Sequence, residues 1–476
     1  MQCVFSGRTP FPPALKNLIS VYAAWVLLIQ LKDKSTLEIT SGSETLTTVS
    51  FENFILSSTP RLQIGGIPSP TALAFFVAKT RSLLELLPQV FVFTEEKQAE
   101  LFMESLQFFN STQSCLYLPA FDVSPYSGLY PNHRIISQRL HWLYRAQHPK
   151  PHEIFVATVE SLLQKTLPQN LLKDLTIHFR TGQDLPEEIA KTLAFYGYQN
   201  SPLVEDLGQF ALRGGILDIF SPAHPHPLRL ELFGDTIESI HSFDPETGRN
   251  LKPEKQLVLL PTLETLYTDE NRQNISKGLR EGAEGRPVDF EELSQIQRDV
   301  VHRHIFPGME FLLPWFYSKL STPLEHFSQG ICLWKIDNEQ IEKTNDAFFA
   351  ELKKEFETSE HNPVRPEISQ LYQTWDDLLL PKDSKILQID PILLNEVNDS
   401  DSLSTMTLRV DALRDFTVKA HSLSGEKSEL LKFLQERLTE WRSKGNSIFI
   451  GCSTSSQLER LKVLTESETL TAHENK

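Results

Sequence analysis

Residues 209–249 read QFALRGGILDIFSPAHPHPLRLELFGDTIESIHSFDPETGR, and this stretch decides the fold of the middle of the chain. Short apolar runs alternate with polar residues, and Gly214-Gly215 and Gly234-Asp235 separate them, as in antiparallel strands joined by tight turns. The pattern predicts a small antiparallel sheet with strands at 176–179, 209–212, 215–220, 227–233 and 236–243, and one helix at 186–196.

Two residues of this stretch are candidates for binding a partner. Arg213 precedes the Gly-Gly turn, so it stands at the tip of a hairpin, where a charge is free to reach another molecule. Phe220 shares one face of its strand with Asp218, and a single helix covers only one face of a small sheet. The same pattern is equally compatible with Phe220 in the core and Arg213 in an internal ion pair.

The region before this sheet alternates strands with helices. Continuous apolar runs such as VFVFT at 90–94 and IFVAT at 154–158 are typical of parallel strands covered on both faces. The predicted strands are 61–64, 89–94, 115–118 and 154–158, and the predicted helices are 71–87, 95–109 and 132–146. Near the ends of the chain we expect a core-facing helix in the apolar run 21–31, then a helix at 427–444, a strand at 447–451 and a helix at 456–464. The chain is therefore predicted to be α/β.

The turn after the first predicted strand of this region is where a nucleotide-binding domain would hold phosphate. Such loops need backbone N–H donors and a lysine that reaches the terminal phosphates. Here two prolines remove donors, and Lys79 is the first lysine, two turns into the helix. The loop resembles a nucleotide-binding loop in position but not in chemistry; its residues are Gly65, Gly66, Pro68, Ser69, Pro70 and Thr71.

Composition narrows the class of protein. The 476 residues suggest three or four domains, and 46 Lys+Arg against 62 Asp+Glu give a net charge of −16. That balance argues against a sequence-independent clamp on nucleic acid, although it leaves room for a local basic patch or for a partner that contacts DNA. The four cysteines are far apart, so neither a zinc site nor a dithiol is expected, and we interpret the histidine pairs 224/226 and 302/304 as surface residues. No catalytic motif occurs, and the cytoplasm is the expected location.

At residues 209–249 the sequence resembles the module shared by the excision-repair protein UvrB and the transcription-repair coupling factors (Mfd). Its signature is Gly-x-Phe/Tyr-x-x-Arg-Gly-x-x-x-Asp-Ile/Leu-Phe followed by Arg-x-Glu-Phe-Phe-Gly-Asp. LPAFD at 118–122, VATVESLLQ at 156–164 and FPGMEF at 306–311 favour the amino-terminal part of a coupling factor. A UvrB-like protein would keep an intact phosphate loop and a long aromatic hairpin, for which residues 119–134 are too few.

The resemblance implies a domain organisation. We expect a degenerate P-loop-type parallel-sheet domain over 1–168, completed by 253–385. A small α+β domain with an antiparallel sheet, UvrB-like domain 2, is inserted at 169–252. A further small α/β domain follows at 386–476. The chain would then be the front part of a longer protein, whose motor domains carry the ATP site.

The resemblance also implies a function. UvrB-like domain 2 would recruit UvrA to stalled RNA polymerase, with Arg213 on the arginine shared by both families and Phe210 and Phe220 beside it. Ala211 and Gln199 stand where basic residues are usual, which leaves fewer positive contacts. No catalytic residue, metal or cofactor is expected in these residues; ATP and Mg would serve only the motor domains. RNA polymerase and DNA would be contacted through domains outside this sequence, and no membrane is involved. The alternatives are a stand-alone UvrB-like ATPase or DNA-damage-binding protein, and an unrelated structural assembly protein.

Overall fold

The computed structural model describes residues 2–5, 26–29, 61–80, 87–127, 129–268, 271–284, 289–358, 364–391, 404–407, 418–419, 422–423, 427–443, 447–451 and 470–473. The chain divides into two compact units. The first comprises Met1–Leu83, Glu100–Gln113 and Ile389–Lys476, and the second comprises Leu84–Ala99 and Ser114–Gln388.

The strands of the described residues are numbered in chain order. They are β1 Gln2–Phe5, β2 Val26–Ile29, β3 Arg61–Gly65, β4 Gln89–Phe93, β5 Ser114–Leu118, β6 Glu153–Thr158, β7 Ile177–Arg180, β8 Gln199–Asn200, β9 Gln209–Arg213, β10 Ile216–Ile219, β11 Leu228–Phe233, β12 Thr236–Phe243, β13 Asn250–Pro253, β14 Gln256–Leu259, β15 Cys332–Ile336, β16 Lys385–Asp390, β17 Ser404–Thr407, β18 Ser447–Gly451 and β19 Leu470–His473.

The α-helices are numbered in the same way. They are α1 Pro70–Lys79, α2 Glu96–Phe109, α3 His133–Gln147, α4 Val159–Leu163, α5 Gln169–Leu175, α6 Ile189–Phe195, α7 Asn271–Ala283, α8 Phe290–His302, α9 Leu313–Phe316, α10 Asn338–Thr358, α11 Ile368–Leu371 and α12 Lys427–Ser443. Short 3₁₀ helices cover Met309–Leu312 and Pro323–His326.

The second unit contains a parallel sheet whose strands run in the order β15-β4-β6-β5. All five residues of β4 are buried, as the apolar run predicts for a strand covered on both faces. Trp142 of α3 packs edge-on against Phe155 of β6, with ring centroids 5.3 Å apart. The amphipathic helix α3 is thus fixed on the sheet by its apolar stripe.

The same unit holds a six-stranded sheet in the order β13-β12-β11-β10-β9-β8, antiparallel except for the β8–β9 pair. Its inner face packs on α6, where Leu193 is fully buried with Leu217 and Leu230. The strand predicted at 176–179 forms β7 and pairs with β14 in a separate two-stranded sheet. The predicted small antiparallel sheet with one leading helix is therefore confirmed, with β7 moved out of it.

The first unit is described in part. β1 pairs with β18 and β19, β18 pairs with β2, and β17 pairs with β3 in parallel. The helix expected in the apolar run 21–31 is wrong, because Val26–Ile29 is a strand; a short apolar run does not distinguish the two by periodicity. The helix expected at 456–464 lies outside the described residues. The chain is α/β, with parallel and antiparallel sheets, and none of its described helices is long and apolar enough to cross a membrane.

Candidate functional site

Two hairpin turns lie side by side at one end of the six-stranded sheet. In the first, Arg213 pairs with Ile216, and Gly214 and Gly215 between them have φ of +47° and +92°. Two central residues with positive φ match the right-handed twist of the strands, and glycine adopts them without strain. The second turn follows Phe233, and the Leu232 N–H donates to the Gly215 carbonyl at 2.7 Å, which holds the turns together.

These turns carry the surface that we call the hairpin-tip surface, defined by Leu212, Arg213, Ile216 and Phe233. The side chain of Arg213 is exposed, and its guanidinium donates to the carbonyl oxygen of Pro202. It forms no ion pair with any carboxylate of the described residues. Of the two interpretations of Arg213, the structure therefore has the exposed cation at a hairpin tip.

Apolar side chains are exposed at the same two turns, with Leu212 on the opposite face of β9 from Arg213. Phe233 is 78% exposed, Leu212 43% and Ile216 39%. Ile216 lies directly opposite Arg213 on the same face of the sheet. These three residues were not among the predicted partner-binding residues; the available signal was an aromatic side chain, Phe233, next to a Gly-Asp turn, where exposure to solvent rather than burial in the core is expected.

Phe210 and Phe220, the other predicted partner-binding residues, lie elsewhere. Phe210 is 3% exposed and belongs to the core under the inner face of the sheet, where it packs with Leu217 and Ile219. Phe220 is half-buried on the outer face, in a small cluster with Val204, Ala211 and Phe243. Neither side chain belongs to the hairpin-tip surface, and Phe210 positions the strand that carries Arg213.

The outer face of the sheet is organised by an ion pair between neighbouring strands. Asp218 of β10 accepts two hydrogen bonds from the Arg229 guanidinium of β11, from Nε at 2.7 Å and from Nη2 at 2.9 Å. The guanidinium carbon of Arg229 lies 4.7 Å from the centroid of the Phe243 ring, and Nη1 donates to the Gly248 carbonyl at 3.2 Å. This pair fixes β10, and with it the turn after Arg213.

The loop expected at a nucleotide site, residues 65–71, uses its polar groups internally. The backbone N–H groups of Gly66 and Ile67 donate to the Asp390 carbonyl at 3.0 and 3.2 Å. Ser69 is the N-cap of α1, and its hydroxyl accepts from the Ala72 N–H at 3.2 Å. The buried Thr71 hydroxyl lies 3.1 Å from the Ser105 hydroxyl.

The loop also lacks two N–H donors, and Lys79 lies far from it. Pro68 and Pro70 have no N–H, and Gly65 ends β3. Lys79 lies in the last turn of α1, over the Phe75 ring at 5.4 Å, far along the helix from the loop. Neither a full set of N–H donors nor a lysine is aimed at the position that a phosphate would occupy.

Among the described residues, no group of three or more His, Cys, Asp or Glu side chains is placed to hold a metal ion. His224 is partly buried rather than fully on the surface, and its Nε2 accepts from the Val258 N–H at 2.9 Å. Burial lowers its pKa to about 4. His304 faces Asp299 at 3.3 Å.

Comparisons with known proteins identify relatives of this chain. The family model of the UvrB interaction domain matches residues 177–264, which include β7 to β14 and extend past the predicted end of UvrB-like domain 2 at residue 252. The transcription-repair-coupling factor of Myxococcus xanthus is 31% identical over 406 residues, covering 79% of this chain and 32% of that protein. Those of Haemophilus influenzae and Escherichia coli are each 26% identical, covering 71% and 59% of this chain and 28% and 23% of theirs.

The chain thus spans about a third or less of the length of these curated relatives. Its similarity to them extends well beyond the matched module, since the Myxococcus xanthus alignment covers 406 residues and the module 177–264 is only part of it. The chain belongs to the transcription-repair-coupling factor family, in which it corresponds to the amino-terminal region with its UvrB interaction domain.

Proposed function

We propose that residues 177–264 recruit the nucleotide-excision-repair protein UvrA to stalled RNA polymerase, and that the hairpin-tip surface is the docking site. The observation that carries the proposal is an exposed, unpaired cation, Arg213, on a turn fixed by two glycines inside the matched UvrB interaction domain. Arginine and large aromatic residues carry most of the binding energy in protein interfaces, and Phe233, exposed at the neighbouring turn, supplies the aromatic anchor.

The proposed role needs no catalysis by this chain. The P-loop-type descent of the first domain is supported by the order β3, glycine-containing loop and α1. Its loop donors are engaged with Asp390, and two of its positions are proline, which supports a scaffold rather than an ATP site. Translocation on DNA, release of the polymerase and the use of ATP and Mg belong, in this proposal, to parts of the protein outside these 476 residues, and the setting is the cytoplasm.

The alternative is a UvrB-like ATPase or DNA-damage-binding protein. Purified chain would be incubated with radiolabelled ATP and Mg, with and without single-stranded DNA, and hydrolysis would be measured. The proposal expects turnover no greater than that of a buffer control. Sustained turnover that follows the protein through purification would favour the alternative.

The interface itself is tested by charge reversal. Arg213→Glu is compared with Arg249→Glu, a change in another exposed arginine of the same module, in the loop at the far end of β12. Because loss of an interface arginine commonly costs 2 kcal/mol or more, the first variant should weaken UvrA binding at least about tenfold. Titration calorimetry with UvrA measures both, and the control variant should stay within about twofold of the unsubstituted chain.

A further inference from the structure

A groove of about 420 Å³ lies on the solvent side of α7, and none of its lining residues belongs to the hairpin-tip surface. Its lining includes Arg272, Ser276, Lys277 and Arg280 of α7 and Val301 of α8, together with two amide side chains of α7. No acidic residue lines it, so its formal charge is +3 in a chain whose net charge is −16. A concentrated positive groove on an acidic protein points to an anionic ligand.

The cations are held outward because the opposite side of α7 is locked in the core. Ile275 and Leu279 are fully buried. A methyl group at Gly278 would lie 2.3 Å from Cγ of Trp315, so only glycine permits the close approach between α7 and this indole ring. The helix therefore cannot rotate its charged face without losing this packing, and the groove is preformed.

The three cations of the groove form few ion pairs with other described residues of the chain. The side chains of Arg272, Lys277 and Arg280 are exposed. Lys277 has one exposed ion pair, with Glu281 at 3.6 Å, and Arg280 Nε donates to the carbonyl of its own helix at Ser276. Arg272 forms no ion pair with a carboxylate of the described residues. Exposed pairs of this kind contribute little, so an external anion competes with them at small cost.

The spacing of the groove favours a helix as its occupant. Arg272, Ser276 and Arg280 are four residues apart, so they rise along α7 in steps of about 6 Å and span about 12 Å. A second helix lying along α7 with carboxylates at every fourth position places two of them, eight residues apart, opposite Arg272 and Arg280; the Ser276 hydroxyl between these cations donates to the Arg272 carbonyl at 3.0 Å. Val301 of α8, a lining residue that is 56% exposed, offers an apolar contact to such a helix.

Nucleic acid fits the groove less well. Tight binding to a phosphate backbone rests on many neutralised phosphates, whereas this groove supplies three cations. An extended strand would pass beyond them to Glu281 and Glu284 at the end of α7, within one screening length of about 8–10 Å. A short acidic helix that ends beside Arg280 passes fewer of these carboxylates. We propose that the α7 groove docks an acidic helical segment of a partner protein.

The test uses the whole chain and a fluorescein-labelled, alanine-based helical peptide with glutamate at every fourth position. Fluorescence anisotropy should detect binding that weakens at least about tenfold when glutamine replaces the glutamates, and by a similar factor in the Arg272→Glu/Arg280→Glu double variant. That factor corresponds to about 1.4 kcal/mol. Arg298→Glu, an exposed arginine of α8 outside the groove lining, is the matched control and should stay within about twofold.

The substituted side chains are exposed, so the variants should keep the wild-type circular dichroism spectrum. The proposal is overturned by absent peptide binding, by equal binding of the double variant, or by tighter binding of a single-stranded or duplex DNA that carries as many negative charges as the peptide. The last result would assign the groove to nucleic acid instead.

Discussion

The ion pair between Asp218 and Arg229 is predicted to hold the central strands of the UvrB interaction domain together, and removing either partner should open them. The perturbation is Asp218→Ala, Arg229→Ala and the double variant. Both side chains are largely buried, at 10% and 25% exposure, and they share two short hydrogen bonds. Breaking such a pair leaves one charge partly desolvated without its partner.

The magnitude follows from these contacts. A hydrogen bond to a charged group contributes about 1.5–3 kcal/mol, and partial exposure puts both bonds at the low end, so Asp218→Ala should cost about 2–3 kcal/mol. Arg229→Ala also loses the contact with the Phe243 ring, about 0.5–1 kcal/mol more. The coupling energy between the two sites should be about 2 kcal/mol, because the double variant leaves no unpaired charge.

Hydrogen exchange followed by mass spectrometry measures the loss of stability locally, in the strands that carry the pair. A loss of 2 kcal/mol corresponds to roughly 30-fold faster exchange of the β10 and β11 amides. Peptides from β4 and β6 of the parallel sheet serve as the internal control and should not change. A coupling energy below about 0.5 kcal/mol would contradict this prediction, since it would mean that the Asp218–Arg229 pair behaves as an exposed ion pair.

Three further outcomes are expected. Burial lowers the pKa of His326 to about 3, so between about pH 6.5 and pH 3 only the unfolded state binds a proton at this residue. The free energy of unfolding therefore falls as the pH drops towards 3. In denaturant titrations, His326→Gln should reduce the slope of the free energy of unfolding against pH by about 1.4 kcal/mol per pH unit. Burial raises the pKa of Glu310 to about 7. The protonated carboxyl group therefore contributes its full share of the free energy of unfolding below about pH 4.5, and this share is lost as the pH rises to 7. In the same titrations, the free energy of unfolding of Glu310→Gln relative to the unsubstituted chain should be about 3 kcal/mol higher at pH 8 than at pH 4. Gly278→Ala should lower the free energy of unfolding by about 2–3 kcal/mol, because its methyl group would lie 2.3 Å from the Trp315 ring. Gly282→Ala should lower it by less, because the methyl group at that position would lie 3.0 Å from the same ring. Equal losses for the two variants in thermal denaturation would contradict this packing.

Much of the fold is predictable because the sequence pattern is strong where the strands are buried on both faces or alternate cleanly. β4 and β6 are continuous apolar runs, and β11 and β12 alternate around a Gly-Asp turn. β13 escapes prediction because all four of its residues are exposed, so nothing in its polarity marks a strand. The pairing of β7 with β14 is long-range, and no local signal specifies it.

Of the candidate site, the sequence predicted only the hairpin turn that follows Arg213. The Gly-Gly dipeptide places Arg213 at a hairpin tip, and the structure has it there. The burial of Phe210 depends on which face of the sheet α6 covers, and the alternation of polarity in β9 is too short to decide it. Phe233 becomes part of the surface because the neighbouring turn lies beside its own, which is a tertiary contact.

Docking of UvrA on the hairpin-tip surface is tested most directly by the affinity of the chain for UvrA, measured by titration calorimetry with three single variants. If UvrA docks on the hairpin-tip surface, Arg213→Glu and Phe233→Asp, both in exposed side chains of that surface, each weaken binding at least about tenfold, and Arg249→Glu does not. Equal affinities for all three variants and the unsubstituted chain would contradict it.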